Sequence, residues 1–494
     1  MAVQYKIFSR GYEFKNFEGQ PQDKLIQAGI PERIIVPLRQ GFGNEVAPVI
    51  QIGQKVLAGQ IIAKDDESIS CPIHCSVNGK VVGIEKIDYL GSETTAVTIE
   101  SDGTQDWQRL EGHSSNWENL PVEKIESLIY LSGAGSTDAT GIPTRFKSSV
   151  ISPEEVEDVI ICGVESEVHS PSLAVLLKDE KLSHFTEGIK ILQKVMTSAE
   201  FHVALNKSDK NLIEKVSADN NSIDVYSLEP KYPVHYDEVL VSMLLGREFP
   251  YGYSAANIGV IVLGVQAVLQ VYDAVVEGKA LIEKTVALCG PGFIENSHVK
   301  VRVGTPLEHI IEGKTNSDKD LRFIRNSCLT GETLCDLSLP VDRTFDSIIA
   351  VLEDNKSEFL AFARPGFTRD SYSRTCVSML FGKKSGLFQK KCGTNVHGEL
   401  RPCIFCSFCE QVCPVGIIPH LLFHHVEKNI IDETLLKYGI FNCVECNLCS
   451  YVCPSKIPVA QFIKEGKTRL LDEGFKCPEP HVALKGVENY KSIK

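Results

Sequence analysis

The spacing of apolar residues divides the chain of 494 residues into regions of different character. Between residues 34 and 100, short runs rich in Val and Ile alternate with glycine-containing stretches such as GQKVLAGQ and SVNGKVV. Short apolar runs bounded by glycine turns are typical of β-strands. The pattern therefore predicts a small module of short strands in the first part of the chain.

Residues 120–285 alternate apolar strands with helices. Strands are expected in VEDVIICGVES, FHVALN and DVYSL, and a helix in TEGIKILQKVMTSA. This alternation predicts an α/β domain with a mostly parallel sheet, whose ligands bind near glycine turns at the carboxyl ends of strands. One glycine-rich turn, LSGAGSTDATGIPTRFK at 131–147, would let backbone N–H groups approach a phosphate.

The region that follows, residues 286–355, begins VALCGPGFIENSHVKVRVGTPLEHIIEG. A strand, a glycine turn, a second strand and then a helix predict a small β-grasp-like unit. The stretch from 356 to 400 has a mixed pattern and is interpreted as a linker region. Its loop ARPGFTRDSYSRT carries Arg364, Arg369 and Arg374.

Two cysteine motifs near the carboxyl terminus share one spacing. CIFCSFCEQVCP at 403–414 and CVECNLCSYVCP at 443–454 both read C-x2-C-x2-C-x3-C-P, the spacing of two-cluster ferredoxins. In those proteins the fourth cysteine of each run binds the other cluster. The spacing predicts one [4Fe–4S] cluster on Cys403, Cys406, Cys409 and Cys453, and a second on Cys443, Cys446, Cys449 and Cys413.

Zinc is the alternative metal for paired cysteines. Zinc takes four ligands in total, so two runs of four cysteines, each closed by proline, favour iron–sulfur clusters. The stretch between the motifs predicts two short helices that carry His420, His424 and His425. These histidines are proton or quinone ligands in one interpretation. In the interpretation that the pattern favours, they form a solvated or packed helix face.

Composition and charge narrow the classes of function. The formal net charge of −13, without a basic stripe, argues against a nucleic-acid partner. No apolar run approaches the length of a membrane-spanning helix, and the start MAVQYKIFSRGYEF has no apolar leader core. We therefore expect a cytoplasmic protein that can still dock on a membrane.

Seventeen cysteines are many for a reducing compartment, where metal binding is more common than disulfides. Cys71, His74 and Cys75 form C-x2-H-C, which is half of a conceivable metal site, although a strand that buries them in the core is the preferred interpretation. Most cysteines outside the two motifs are expected to be small core residues. They are Cys71, Cys75, Cys162, Cys289, Cys328, Cys335, Cys376, Cys392 and Cys477.

The first module resembles the lipoyl or biotinyl barrel-sandwich hybrid domain, although Lys64 in AKDDES lacks the context of a carrier lysine. With this module, the α/β domain, the β-grasp-like unit and the clusters in this order, residues 30–475 resemble one family of peripheral components of sodium-pumping complexes. The family contains NqrA, from the Nqr NADH:quinone reductase, and RnfC, from Rnf complexes. The multidomain α/β chain is then divided into a barrel-sandwich module (1–118), a Rossmann-like α/β domain (119–285), a β-grasp-like unit (286–355), a linker (356–400), a two-cluster ferredoxin-like helical domain (401–475) and a tail (476–494).

In RnfC, a G-x-G-G-A-G-F-P-T-x-x-K loop binds flavin and nicotinamide nucleotide. In this chain STDAT interrupts the glycines, and Ile142 replaces the phenylalanine. The flavin or nucleotide site that the resemblance implies consists of Gly133, Gly135, Gly141, Thr144, Lys147 and Glu165.

Other stretches look more like NqrA, namely LTGETL at 329–334, RPGFTRDSYSRT at 364–375, IIPHLL and CSYVCPSK. They favour a cluster-bearing Nqr-type electron relay on the cytoplasmic side of the inner membrane, bound to membrane-embedded subunits that move sodium. NADH or quinone would be its substrate. The alternatives are RnfC, which binds FMN and NADH, a soluble reductase of the cobalamin reductase type, and a scaffold whose clusters only stabilise the fold.

Overall fold

The structure is a computed structural model that describes residues 3–14, 17–65, 68–219, 222–316, 320–353, 392–394, 400–477 and 483–486. Arg364, Arg369 and Arg374 of the expected linker lie outside the described residues, as does most of the expected tail. Within the described ranges, no helix has both the length and the apolar character needed to cross a membrane.

The strands of the described ranges, in chain order, are β1 Gln4–Tyr5, β2 Leu25–Gln27, β3 Arg33–Pro37, β4 Lys55–Val56, β5 Ile61–Ala63, β6 Ile73–His74, β7 Gly79–Tyr89, β8 Ser92–Ser101, β9 Asp158–Gly163, β10 Glu200–Asn206, β11 Ile223–Leu228, β12 Val260–Gly264, β13 Glu283–Cys289, β14 Ser297–Arg302, β15 Leu321–Arg325, β16 Glu332–Leu334 and β17 Ser347–Leu352. The α-helices of the same ranges are α1 Val122–Ser132, α2 Leu173–Leu176, α3 Lys181–Val195, α4 Lys210–Asp219, α5 Asp237–Leu245, α6 Val265–Val275, α7 Leu307–Ile311, α8 Phe408–Val412, α9 Pro419–Glu427, α10 Glu433–Lys437, α11 Leu448–Tyr451 and α12 Val459–Asp472.

An antiparallel sheet in the order β3-β8-β7-β4, together with the hairpin β5-β6, forms the amino-terminal module. Successive side chains of a strand face opposite sides, so Ile34 and Val36 of β3 and Val97 of β8 point inwards and are fully buried. The core that these residues form is closed by the short strands on the opposite side, including Ile62 and Ile73. This module is the set of short strands that the first apolar pattern predicts.

The C-x2-H-C stretch belongs to the same module. Cys71, His74 and Cys75 are all at most 5 % exposed, and burial lowers the pKa of His74 to about 3. These side chains therefore pack as core residues, as the sequence analysis preferred. The Lys64 ammonium lies 5.9 Å from the centre of the Tyr130 ring.

A five-stranded parallel sheet in the order β1-β11-β10-β9-β12 is the centre of the α/β domain. Helices α1, α3 and α6 cover one face, and α5 covers the other. Gly188 permits α3 to pack closely on α6, because a Cβ there would lie 2.6 Å from the carbonyl oxygen of Val268. The parallel sheet predicted from the alternation of strands and helices is confirmed.

A mixed sheet in the order β16-β15-β17-β13-β14-β2 follows in the chain. Strands β13 and β14 form an antiparallel hairpin, and β17 returns parallel to β13. Helix α7 packs Leu307, Ile310 and Ile311 into the core of this sheet. The hairpin, the helix and the returning parallel strand lie within residues 283–352, and the assignment of 286–355 as a β-grasp-like unit stays a prediction.

The first two strands pair outside the barrel-sandwich module, although the expected module boundary, 1–118, includes them. β1 extends the α/β sheet with Gln4 opposite Tyr226, and β2 extends the mixed sheet with Leu25 opposite His298. Strands of two or three residues are too short to show a period in the sequence. Their positions are set by the sheet edges that they cover, and they tie the two later sheets to the start of the chain.

Short helices form the carboxyl-terminal domain. Helix α9 packs on α12, where Gly466 leaves the space for it, since a Cβ at this position would lie 2.6 Å from Cγ2 of Val426. Helix α8 contains Cys409 and helix α11 contains Cys449. The two cysteine motifs therefore lead into equivalent helices that contact each other.

Candidate functional site

A cleft with a cavity volume of about 410 Å³ opens at the carboxyl edge of the parallel sheet. Residues from 163–167, after β9, and 262–267, at the junction of β12 with α6, form its floor. Residues 137–139 of the glycine-rich loop, 235–237 before α5 and residues from 326–330 of the mixed sheet form its walls. Because parallel α/β sheets bind ligands at this edge, the cleft is the candidate ligand site.

Carboxyl groups dominate the charge of the cleft. Burial raises the pKa of Asp138 to about 6 and that of Glu167 to about 7. It also raises the pKa of Glu165. Asp237 and Asp346 lie in the same lining. Carboxyls with pKa values raised towards neutrality can hold or release a proton under physiological conditions.

The positive side of the cleft consists of Lys284 and the first turn of α6. The Lys284 ammonium lies 2.9 Å from a carboxylate oxygen of Asp346 and donates to the carbonyl oxygen of Arg343 over 2.6 Å. At the start of α6, the Gly264 N–H donates to Oδ1 of Asp138 over 3.3 Å. Helix N-termini favour negative charge, so this end of the cleft can accept an anionic group.

The glycines implied by the resemblance face protein groups. A Cβ at Gly133 would lie 2.7 Å from the guanidinium of Arg343, and one at Gly141 would lie 2.5 Å from the carbonyl oxygen of Ser148. A Cβ at Gly135 would lie 3.1 Å from the Cβ of Ser148. Close packing therefore accounts for these three glycines, and the same loop instead brings a carboxyl group into the cleft.

The remaining residues of that implied site are divided between the core, the surface and the cleft. Thr144 is buried, with its hydroxyl 2.9 Å from the hydroxyl of Ser148. Lys147 is exposed. Glu165 lines the cleft, and its carboxylate accepts from Nδ2 of Asn206 over 2.6 Å. Of the six implied residues, the structure brings Glu165 alone into the lining of this cleft.

Two further residues of the cleft lining, His235 and Gln270, carry polar groups that the sequence analysis missed. Oγ of Ser166 lies 2.5 Å from Nδ1 of His235, whose Nε2 lies 3.8 Å from the Glu167 carboxylate. Oε1 of Gln270 is buried and has no hydrogen-bond partner among the described residues. A ligand rich in hydroxyl and N–H groups, as FMN is, would satisfy this acceptor. The sequence signal for this part of the cleft was Glu165, which the resemblance implied.

Four cysteines surround one small cavity in the carboxyl-terminal domain. They are the four that the sequence analysis assigned to one cluster, Cys403, Cys406, Cys409 and Cys453. Three come from the first motif and one from the second. Apolar side chains complete the lining, among them Phe423 and Ile457.

The other four cysteines form a second set. Cys413 of the first motif lies close enough to Cys443, Cys446 and Cys449 for their charges to interact. Burial and these neighbours raise the pKa of Cys446 to about 12. Eight of the free thiols in the described residues are thus gathered in two sets of four. Such sets fit soft metal clusters, whose iron displaces the thiol protons on binding.

The two motif loops follow the same backbone course. Phe405 and Ser407 of the first motif have φ values of +51° and +57°, and Glu445 and Asn447 of the second have +56° and +62°. These left-handed positions alternate with the cysteines and curl each loop around its cavity. The repeated spacing in the sequence therefore corresponds to a repeated local structure.

The two sets adjoin each other but have different neighbours. The thiols of Cys409 and Cys449 are close enough to influence each other's charge. Nδ1 of His420 lies 3.9 Å from Sγ of Cys409. On the second set, the Lys467 ammonium donates to the carbonyl oxygen of Cys443 over 2.7 Å.

The other two histidines of α9 pack as the sequence pattern favours. His424 stacks on Phe405 with ring centres 4.8 Å apart. Nδ1 of His425 lies 2.9 Å from the carbonyl oxygen of Leu421, and its ring contacts Tyr438.

Three family models match the chain in the order of its domains. They are the RnfC barrel sandwich hybrid domain at residues 8–104, the Nuo51 FMN-binding domain at 129–273 and the 4Fe-4S dicluster domain at 400–457. The chain therefore combines a barrel-sandwich hybrid domain, an α/β domain for FMN and a domain for two [4Fe–4S] clusters.

Curated proteins with similar sequences include several C subunits of translocating complexes. That of the proton-translocating ferredoxin:NAD+ oxidoreductase complex of Clostridium ljungdahlii is 27 % identical over 88 % of each chain. That of the ion-translocating oxidoreductase complex of Pseudomonas aeruginosa is 28 % identical over 90 % of this chain and 53 % of its own. That of the Na+-translocating ferredoxin:NAD+ oxidoreductase complex of Acetobacterium woodii is 23 % identical over 82 % of this chain and 83 % of its own.

These similarities favour the Rnf-type alternative over the Nqr-type interpretation that the sequence analysis preferred. The RnfC model covers the first module, and the three relatives are C subunits of ion-translocating complexes. None of these matches supports quinone as the substrate.

Proposed function

We propose that this chain is the RnfC component of an Rnf-type ion-translocating ferredoxin:NAD+ oxidoreductase, in which it passes electrons between nicotinamide nucleotide and one-electron carriers. The observation that carries the proposal is that one chain holds a ligand cleft at the edge of an FMN-binding domain and two four-cysteine sets beside it. When bound, FMN exchanges an electron pair with a nicotinamide and single electrons with an iron–sulfur cluster.

In this function, the cleft residues bind and orient FMN and manage its protons. The first turn of α6, with the Gly264 N–H, would hold the anionic group of the cofactor once Asp138 is protonated. The unpartnered Oε1 of Gln270 would accept a hydrogen bond from the bound cofactor. Glu167 is positioned to hold a proton, because its pKa of about 7 lies near the working pH. The backbone N–H of Val168 donates to that carboxyl over 3.1 Å and helps to keep it in place.

The two cysteine sets hold the clusters in the proposed function. Cys403, Cys406, Cys409 and Cys453 bind the first, and Cys443, Cys446, Cys449 and Cys413 bind the second. Four thiolates supply the complete ligand set of a [4Fe–4S] cluster. Cys409 and Cys449 are close enough for their charges to interact, and this closeness of the two sets would provide a short route for one electron to move between clusters.

Ion translocation is assigned to membrane-embedded partner proteins, and the chain is placed at the cytoplasmic side of the membrane. The assignment rests on the relatives, which belong to translocating complexes. Their names differ in the ion, because one names a proton and another Na+. The proposal therefore extends to a translocating complex and not to a particular ion.

An anaerobic titration of the purified, cofactor-loaded chain with NADH tests the proposal. Absorbance follows the flavin, electron paramagnetic resonance follows the clusters, and dithionite provides the fully reduced control. The proposal expects NADH to reduce both cofactor types. Reduction by dithionite alone would place nucleotide entry on a different protein of the complex and return the Nqr-type interpretation to first place.

A matched pair of variants tests the cleft. Gln270→Leu removes the unpartnered acceptor and is expected to lower FMN content while iron content stays unchanged. Gln193→Leu, on α3 and outside the cleft lining, is the control. Equal FMN content in the two variants would remove Gln270 from the proposed site.

A further inference from the structure

One tyrosine connects the cleft with the carboxyl-terminal domain. Tyr236, directly before α5, lines the cleft and also a neighbouring groove. That groove runs between the α/β domain and the second cysteine motif, whose Val444 and Asn447 form part of its wall. Tyr236 therefore borders both the proposed flavin site and the second motif.

A second tyrosine continues the connection. The hydroxyl oxygen of Tyr232 lies 2.9 Å from the hydroxyl oxygen of Tyr236 and 2.9 Å from the carbonyl oxygen of Cys446. A carbonyl oxygen accepts only, so Tyr232 donates to Cys446. Because the single hydroxyl proton of Tyr232 is engaged in that bond, Tyr236 must be the donor in the hydrogen bond between the two tyrosines. The hydrogen bonds therefore run in one direction, from the cleft to a cysteine of the second set.

Packing fixes the ring of Tyr232 in this position. The residue is fully buried, and its backbone N–H and carbonyl form a reciprocal pair with Tyr12 at 3.0 and 2.9 Å. Its ring contacts Phe14 edge-on with ring centres 5.9 Å apart. It shares a core cluster with Val444 and Leu448 of the second motif. The phenol therefore has one orientation available.

A separate hydrogen bond holds the same loop against the cleft wall. Nδ2 of Asn447 donates to the carbonyl oxygen of Leu329 over 2.7 Å. Leu329 precedes Thr330, which lines both the cleft and the groove. The second motif is thus attached to the cleft wall at a second point.

The first cysteine set has a different position. Its cavity is lined only by residues of the carboxyl-terminal domain, from Cys403 to Val459. Its loop is exposed, since 65 % of Ile404 and 59 % of Phe405 are accessible to solvent. The described structure shows for this set no bridge to the cleft like that of the two tyrosines.

We infer that Tyr232 and Tyr236 couple the cleft to the second cysteine set, so that the cluster on this set is the one that exchanges electrons with the flavin directly. The first cluster then exchanges electrons at the exposed face of the domain. Tyr232 acts as a positioning residue through the Cys446 carbonyl, because hydrogen bonds around the ligands orient them and tune the cluster. This inference rests on the proposed function and adds the order of the relay to it.

Tyr232→Phe tests the inference, because it keeps the ring and removes only the hydroxyl group. In stopped-flow experiments with NADH, we expect flavin reduction at the unaltered rate and cluster reduction roughly 10-fold slower, the usual scale for loss of an outer-shell hydrogen bond. Tyr438→Phe, which alters a tyrosine at the end of α10, is the control and should leave both rates unchanged. Equal cluster reduction in Tyr232→Phe and Tyr438→Phe would overturn the inference.

A second measurement does not depend on NADH. In a redox titration followed by electron paramagnetic resonance, Tyr232→Phe should shift the midpoint potential of one cluster only. Combining it with Cys406→Ser, which removes the first cluster, should leave the shifted signal in place. A shift confined to the signal that Cys406→Ser removes, or no shift, would reject the inference. If NADH fails to reduce the unaltered chain, the proposed function fails, and this titration still decides the role of the tyrosine.

Discussion

The two cysteine motifs share the same spacing, but their surroundings in the structure differ. In the first motif, the residues between the cysteines include Ile404 and Phe405, which are 65 % and 59 % exposed. In the second, Val444 is buried, and Glu445 forms an ion pair of 2.8 Å with Lys467. The cysteines decide that a cluster can bind, whereas the residues between them decide what each cluster faces. Two sites of equal chemistry can therefore occupy different positions in one electron path.

Removing one cluster at a time should produce the largest difference between the motifs. Cys446→Ser is expected to abolish the second cluster and to stop NADH from reducing the first, because the cluster next to the cleft is lost. Cys406→Ser should abolish the first cluster and leave reduction of the second by NADH intact. Iron and sulfide analysis, with electron paramagnetic resonance after addition of NADH, measures both outcomes.

One result would contradict this difference between the two motifs. Fast reduction of the first cluster in Cys446→Ser would show that the flavin reaches that cluster directly. Cys335→Ser is the control, since Cys335 is exposed and outside both motifs. It should retain both clusters and the unaltered reduction pattern.

The cluster loops and the parallel sheet could be predicted from the sequence. A cluster loop is local, because three ligands of each cluster lie within seven residues of one another, so the spacing predicted these two groups of three. The exchange of Cys413 and Cys453 between the groups followed from the precedent of two-cluster ferredoxins. The parallel sheet was also predictable, since each strand and helix has its own period.

The cleft could not be predicted in the same way. It joins Asp138, His235 and Asn326, which lie far apart in the chain and belong to no common motif. The glycine loop matched a motif in part, yet Gly133 packs against Arg343, a residue 210 positions later in the chain. The sequence shows a glycine but does not show which atoms will lie beside it.

Removing a buried charge should separate the two clusters by potential. Lys467→Met keeps the length of the side chain but removes the ammonium that donates to Cys443 and Glu445. We expect a cost of about 2 kcal/mol in stability for the loss of the ion pair with Glu445 and a lower potential for the second cluster, because a positive charge near it is lost. The potential of the first cluster should change less. Redox titration and chemical unfolding measure these effects.

Lys464→Met provides the matched control for that change. Its ammonium is 3.8 Å from the same Glu445 carboxylate, but the side chain is 66 % exposed, where ion pairs contribute little. The formal charge change is identical. Equal potential shifts in Lys464→Met and Lys467→Met would mean that burial of the charge does not matter.

A change of pH is expected to have a smaller effect, on the affinity of the cleft for FMN. Burial raises the pKa of Glu167 to about 7, so this carboxyl is neutral below pH 7 and becomes an anion above it. A new negative charge beside the proposed flavin site should weaken binding of the anionic cofactor, by about 10-fold in total if binding raises the pKa by about one unit. Affinity should therefore fall between pH 6 and pH 8, as measured by fluorescence of released FMN.

Two substitutions check the origin of that pH dependence. Glu167→Gln stays neutral, so its FMN affinity should vary less over the same range. Glu118→Gln replaces an exposed carboxyl outside the cleft and should behave as the unaltered chain does. A pH profile in Glu167→Gln as steep as in Glu118→Gln would assign the titration to another group.

The smallest expected effect lies in the first motif. Nδ1 of His420 is 3.9 Å from Sγ of Cys409, and a hydrogen bond to a ligand sulfur raises the potential of an iron–sulfur cluster. His420→Phe should therefore lower the potential of the first cluster slightly and leave the second unchanged. Lys467→Met is expected to have the opposite selectivity, because it lowers mainly the potential of the second cluster. His425→Phe changes the same helix at a position that contacts Tyr438 instead and should shift neither potential. If His420→Phe moved the second potential as well, the two clusters would not be tuned by separate surroundings, and the contrast between the motifs would be confined to their exposure.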